Sequence, residues 1–201
     1  MLFIGKGISI VGCDIHINIE VKNHDGVWQD VPWTSEDKRK YWPKHNATGK
    51  LEMPNYFDAR NYNLFAVLAN VRNGTWGELL VPISEPRGLP KDSSTFAEYD
   101  FDVDYTLGDH SFSYVTLKEL QDYPWDTPYV YHAWVSEEEA KKVEVTGEAP
   151  KSWAAGMNHG RQVSWTTTIR HAVHAWPDDV LPVLETLGKP EDVRLVFGFD
   201  S

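Results

Sequence analysis

Between Gly12 and Lys22 the chain reads GCDIHINIEVK, and this stretch constrains the fold more than any other. Apolar Cys13, Ile15, Ile17, Ile19 and Val21 alternate with polar Asp14, His16, Asn18, Glu20 and Lys22. A period of two is the mark of a strand with one buried face. Isoleucine, branched at Cβ, suits a pleated, half-buried surface. The other face then carries Asp14, His16, Asn18 and Glu20 in a row, neighbours roughly 7 Å apart at about 3.3 Å per residue. An acid, an imidazole, an amide and a second acid in line fit a solvated sheet surface, and they also fit a site.

The rest of the chain supplies partners for that strand. Asn23 to Gly26 is a turn signal, and Val27 to Trp33 reads as the second strand of a hairpin. Thr34 to Asn55 is polar, with a basic cluster at Lys38, Arg39 and Lys40 and with Pro43, Gly49 and Pro54 to break any helix. It reads as a surface excursion. Phe57 to Asn73 has helical spacing of Leu64, Leu68 and Val71, with Asp58 as N-cap and Asn73-Gly74 as the stop. Thr75 to Asp109 is rich in proline and loop-like, with a short helix expected from Asp92 to Tyr99 and an acidic tract from Glu98 to Asp104. Thr116 to Glu119 matches a capping box. Strands follow at Tyr129–Val135, Val163–Ile169 and Val193–Phe199, and helices at Glu137–Val143, Arg170–Trp176 and Asp178–Leu187. This order predicts one α+β domain spanning residues 1–201, a mainly antiparallel sheet with helices packed against it and a loop-rich middle. The last strand is expected beside the first, and residues 1–10 read as a dispensable extension.

Charge narrows the partners. Nineteen Lys and Arg face thirty Asp and Glu, a net charge of −11. That excludes non-specific nucleic-acid binding, which needs a basic footprint. A small anionic ligand held by a few arginines is compatible with it. No stretch has the length of a membrane span, and no cleavage pattern follows the first apolar run. The single Cys13 fits a reducing compartment. The expected setting is therefore cytoplasmic, with homo-oligomerisation left open.

Several residues carry candidate chemistry. Asp14 and His16 form a D-x-H pair. Such a pair can ligate a divalent metal, with Glu20 as a third ligand, shape a polar pocket, or stand on a plain sheet surface. His110, followed by Ser111 and Ser113, fits a general acid–base role, although the second copy that two-histidine phosphoesterases use is missing. His171 and His174 would share a helical face, and without an adjacent Glu they read as a surface pair. Arg60, Arg72 and Arg87 could clamp phosphates. Arg87 stands between Pro86 and Gly88, where little entropy is left to lose. Tyr62, Tyr114 and tryptophans could stack a base. Asp14, Asn18 or Asn61 could meet ribose or base edges. No P-loop, Rossmann fingerprint, nucleophile elbow or Cys/His zinc spacing occurs in the sequence.

Five segments in order, GCDIH, RNYNLFAVLANVRN, EPRGLP, HSFSYVTLKEL and PEDVRLVFGFD, resemble a family of bacteriophage and prophage proteins that carries no assigned activity. The resemblance implies a phage accessory protein acting in the infected bacterial cytoplasm. It singles out Asp14, His16, Arg60, Asn61, Tyr62, Arg72, Arg87, His110 and Ser113 as positions inside shared motifs. Three readings follow. One is a binder that sequesters a nucleotide-type immune signal. Another is a metal-assisted nucleotide hydrolase or phosphodiesterase using Asp14, His16 and His110. The third is a protein-binding inhibitor or virion-associated protein.

Overall fold

A computed structural model describes residues 12–31, 60–94, 107–154 and 160–200. Residues 1–10, the Thr34–Asn55 excursion, the Asp58 cap and the Glu98–Asp104 tract lie outside them.

The expected alternation builds the first strand, β1 (Asp14–Lys22). Asn23 closes the following turn, its Oδ1 accepting from the Asp25 and Val27 amides at 2.9 and 3.0 Å. Short β2 (Trp28–Asp30) returns antiparallel to β1, so the hairpin is present. Next come α1 (Tyr62–Ala69), β3 (His110–Thr116) and α2 (Leu117–Asp122). They are followed by β4 (Pro128–Val135), α3 (Glu137–Thr146) and β5 (Arg161–Thr168). The chain closes with α4 (Ile169–Ala172), α5 (Trp176–Glu185), a 3-10 turn at Pro190–Asp192 and β6 (Val193–Asp200).

The fold is α+β and antiparallel, as the pattern of elements implies. It is split into a four-stranded sheet, β2-β1-β6-β3, and a separate two-stranded β4-β5 sheet. The last strand does lie beside the first, with Asp14 opposite Asp200 and Glu20 opposite Arg194. Every β6 residue from Val193 to Phe199 is buried, because β6 is an inner strand covered on both faces. Ile15, Ile17, Phe197 and Phe199 are at most 1% exposed on the core side. Each such side chain is worth about 1.5–3 kcal/mol when fully buried.

Helix α1 is the keystone. All its residues from Asn63 to Ala69 are buried, which a helix tolerates only when it is packed on more than one side. Phe65 meets Phe199 of the large sheet edge-on at 5.2 Å. On another side Asn63 bonds Tyr131 and Tyr129 of β4 at 2.9 and 3.1 Å. The helix is shorter than the periodicity suggests. Asn61 is its N-cap, accepting from the Leu64 amide at 3.0 Å. Asn70, at φ 59°, ends it before Asn73-Gly74. Asparagine tolerates that left-handed conformation better than most residues.

Two further expectations are corrected. Arg170–Trp176 is not one helix: α4 ends at Ala172, and His174 and Ala175 both adopt φ 57°. His171 and His174 therefore do not share a helical face. Asp92 to Ser94 is not helical in its described part. It lies instead over the polar face of β1, where Ser93 Oγ and the Ser94 amide both donate to Glu20 Oε1. The capping box at Thr116 and Glu119 is present in full. Among the described residues no helix is long and apolar enough to cross a membrane.

Candidate functional site

The polar row of β1 divides into two unlike ends. At the Glu20 end the row is sealed. Glu20 is 0% and Arg194 4% exposed. Arg194 Nε donates to Glu20 Oε2 at 2.7 Å, and its Nη1 reaches Asp92 at 3.0 Å. The guanidinium lies 3.9 Å from the centroid of the Trp28 ring. Such a pair is costly to desolvate and far costlier to break. Glu20 is thus a structural carboxylate here, its oxygens held by Arg194, Ser93 and Ser94. It does not stand with Asp14 and His16 as a metal set. Among the described residues no three His, Cys, Asp or Glu side chains are grouped to hold a metal ion.

At the other end the row is open. His16 Nε2 lies 2.9 Å from Asp200 Oδ2, and the Asp14 amide donates to Asp200 Oδ1 at 3.2 Å. One carboxylate of β6 therefore fixes both the backbone and the imidazole of β1. The residue opposite His16 is Gly198. A Cβ there would lie 2.2 Å from the Leu107 carbonyl oxygen and 2.6 Å from the Phe112 ring. A side chain there would clash with both, and the β3–β6 register shifts beside it, between His110 and Ser113.

Arg60 closes the open end. Its Nε and Nη2 donate to the two Asp14 oxygens at 2.7 and 2.5 Å, a bidentate fork. That hydrogen-bonded guanidinium holds the Asp14 carboxyl below its ordinary range, although partial burial opposes it. The pairing raises the pKa of Arg60 in turn. Arg60 Nη1 makes no hydrogen bond among the described residues and sits beside Gly12, where a Cβ would meet it at 2.7 Å. The Asp14, His16, Arg60 and Asp200 side chains are 39%, 27%, 54% and 45% exposed. These are groups that a ligand can reach.

An aromatic flank adjoins this cluster. The Cys13 amide donates to Tyr62 Oη at 3.3 Å, which ties the start of α1 to the start of β1. Tyr62 stacks on Trp76 at 6.3 Å, and Trp76 meets the part-exposed Trp153 edge-on at 5.0 Å. Arg72, at φ 55° beyond the end of α1, lies 5.8 Å from the Tyr62 ring. Burial pushes the Cys13 thiol up, with an Arg72 hydrogen bond opposing the shift. The thiol is thus kept protonated and is a poor nucleophile.

Five of the residues singled out in the sequence, Asp14, His16, Arg60, Tyr62 and Arg72, form this neighbourhood. The other four stand elsewhere. Asn61 caps α1. Arg87 donates to both Glu119 oxygens at 3.1 and 2.6 Å and to the Tyr114 carbonyl at 3.1 Å. Burial raises the Glu119 carboxyl, but bonds from Arg87 and Thr116 more than offset it, leaving the pKa lowered. Ser113 is buried and accepts from the Arg87 amide at 3.2 Å. His110 stacks on Phe199 at 6.0 Å, and its Nδ1 meets Ser111 Oγ at 2.9 Å. As the ladder partner of Phe199 it lies on the α1 side of the sheet, away from the row that carries His16. Asp200 and Trp76 were missed. Asp200 was within reach: once β6 is set beside β1, the register brings the last acid of VRLVFGFD opposite Asp14. Nothing in the sequence around Trp76 marks its role.

Compared with known proteins, the chain matches no family profile, no curated protein and no solved structure. The chemistry of the cluster must therefore be argued from its own geometry. A carboxylate-oriented imidazole can accept or shuttle a proton. A guanidinium fork and an aromatic stack together suit an anionic, flat ligand.

Proposed function

We propose that the protein binds a small nucleotide-type ligand at the open end of β1, as a phage accessory protein that sequesters a bacterial immune signal. The observation that carries the reading is the Asp14–His16–Asp200 cluster forked by Arg60, with Tyr62 bonded to the adjoining Cys13 amide and Trp76 and Arg72 beside Tyr62. Arg60 Nη1 and Arg72 would take phosphate oxygens. Tyr62 and Trp76 would face the base, and His16 with the two aspartates would meet ribose hydroxyls or base edges. The phage setting rests on the family resemblance.

A second reading has one observation in its favour. The 2.9 Å contact between His16 and Asp200 is the arrangement general-base catalysis uses, which would make the protein a nucleotide hydrolase or phosphodiesterase. One experiment separates the two. The protein is incubated with a bacterial nucleotide extract containing cyclic dinucleotides and ADP-ribose derivatives, then washed, denatured and analysed by mass spectrometry. An intact nucleotide released in near-stoichiometric amount supports binding. Shortened nucleotides accumulating in the supernatant, and lost in His16→Ala, support hydrolysis. The absence of both results would refute a nucleotide ligand.

A further inference from the structure

A different part of the molecule carries an interaction surface. Residues Glu78 to Ile83 cross from β4 to α1 as an extended strap. It is tied down repeatedly: the Glu78 amide donates to Val130 O at 3.0 Å, and the Asn73 side chain brackets Leu80 N and O at 2.9 and 2.8 Å. Tyr123 Oη donates to Val81 O at 2.7 Å, and the Ile83 amide donates to Val67 O at 2.7 Å. The strap is therefore fixed, yet it turns Leu79 and Val81 outward, 77% and 78% exposed, while Leu80 is 6% exposed. Scattered exposed aliphatics are ordinary. Two on one immobilised strap, beside a groove, form a preorganised anchor pair.

The groove has a volume of about 430 Å³ and runs between the strap and the Tyr123-Pro124 corner that follows α2. Its walls are apolar. Among the described residues its ionisable side chains, tyrosines aside, are Glu78, Glu119 and Asp122, and no Lys, Arg or His lines it. Glu119 is taken by Arg87, and Asp122 shares a solvent-exposed pair with Lys118 that is worth little. Glu78 is thus the rim carboxylate with no paired cation among the described residues, on a chain whose net charge is −11. A second copy of this chain would bring the same carboxylates against themselves. A segment with aliphatic anchors and flanking Lys or Arg meets both the walls and the rim.

We propose that the groove between the Glu78–Ile83 strap and Tyr123-Pro124 docks a partner protein through a basic, aliphatic-anchored segment. It shares no residue with the Arg60–His16 cluster, so it stands or falls independently of the nucleotide reading.

The test is fluorescence anisotropy on the full chain with three fluorescein-labelled peptides: alternating Leu and Lys, alternating Leu and Glu, and alternating Ser and Lys. The Leu–Lys peptide is expected to bind at least about tenfold more tightly than either control. Leu79→Ser with Val81→Ser should weaken it about tenfold or more, as expected when two anchors lose their burial. Glu78→Lys with Asp122→Lys, a variant with the apolar walls intact, should reverse the preference toward the Leu–Glu peptide. Equal binding of the two leucine peptides, or unchanged binding in both double variants, would overturn the proposal. So would self-association in sedimentation that Leu79→Ser with Val81→Ser abolishes, since the occupant would then be a second copy.

Discussion

One strand face carries two arginine–carboxylate pairs of opposite character. Glu20 with Arg194 is sealed beneath Asp92–Ser94 and Trp28, whereas Asp14 with Arg60, six residues back along β1, stands half exposed. The chemistry is the same and the surroundings differ. In the sealed pair every carboxylate oxygen is answered by the protein, so the pair holds the outer face of the sheet together. In the open pair the fork leaves Arg60 Nη1 without a hydrogen bond among the described residues, beside a part-exposed imidazole that Asp200 orients. Burial, rather than residue type, separates the structural pair from the candidate site.

The largest effect should come from breaking the sealed pair. Glu20→Ala would leave Arg194 buried and uncompensated, at a cost of about 3–5 kcal/mol, visible as a large fall in the urea midpoint. A loss below about 1 kcal/mol would show that water enters the pair. Arg87→Ala comes next. Its partners are half-buried, and it ties Ser84–Pro90 to β3 and α2, so about 1–2 kcal/mol is expected. Ligand release from Arg87→Ala should equal that of the unchanged protein; a drop would return Arg87 to the ligand set.

Arg60→Ala should leave the urea midpoint nearly unchanged, as loss of an exposed pair does, while abolishing nucleotide retention. The smallest effect concerns pH. The Asp14 carboxyl is depressed in the folded state by Arg60, so the native protein binds fewer protons there than the unfolded chain. Its contribution is present above the ordinary carboxyl value of 3.8 and is lost as pH falls through the lower, folded value. The stability gap between the protein and Asp14→Asn should therefore be constant near neutrality and shrink below about pH 4. A gap that widens with acid would contradict the pairing.

How much of this the sequence disclosed follows from which interactions are local. β1, the hairpin and the Thr116–Glu119 capping box depend on short-range period and spacing, and all were legible. So was the meeting of the first and last strands, because both alternate. The early end of α1 was not, since Asn70 and Arg72 adopt left-handed backbone that periodicity does not encode. Nor was the fate of Glu20. Alternation places it with Asp14 and His16, and the distant Arg194 and Asp92–Ser94 segments bury it. The site list was half legible for the same reason. Arg60, Tyr62 and Arg72 flank one helix that reaches β1. Arg87, by contrast, is drawn off by Glu119, a partner 32 residues away whose role in the sequence was to cap α2.

The most direct test compares nucleotide retention, by denaturation and mass spectrometry, in the unchanged protein, Arg60→Ala and Arg87→Ala after exposure to the same bacterial extract. A near-stoichiometric nucleotide is expected from the unchanged protein and Arg87→Ala, and none from Arg60→Ala. Equal retention by Arg60→Ala, with the protein still folded, would place any ligand away from the open end of β1 and contradict the proposed site.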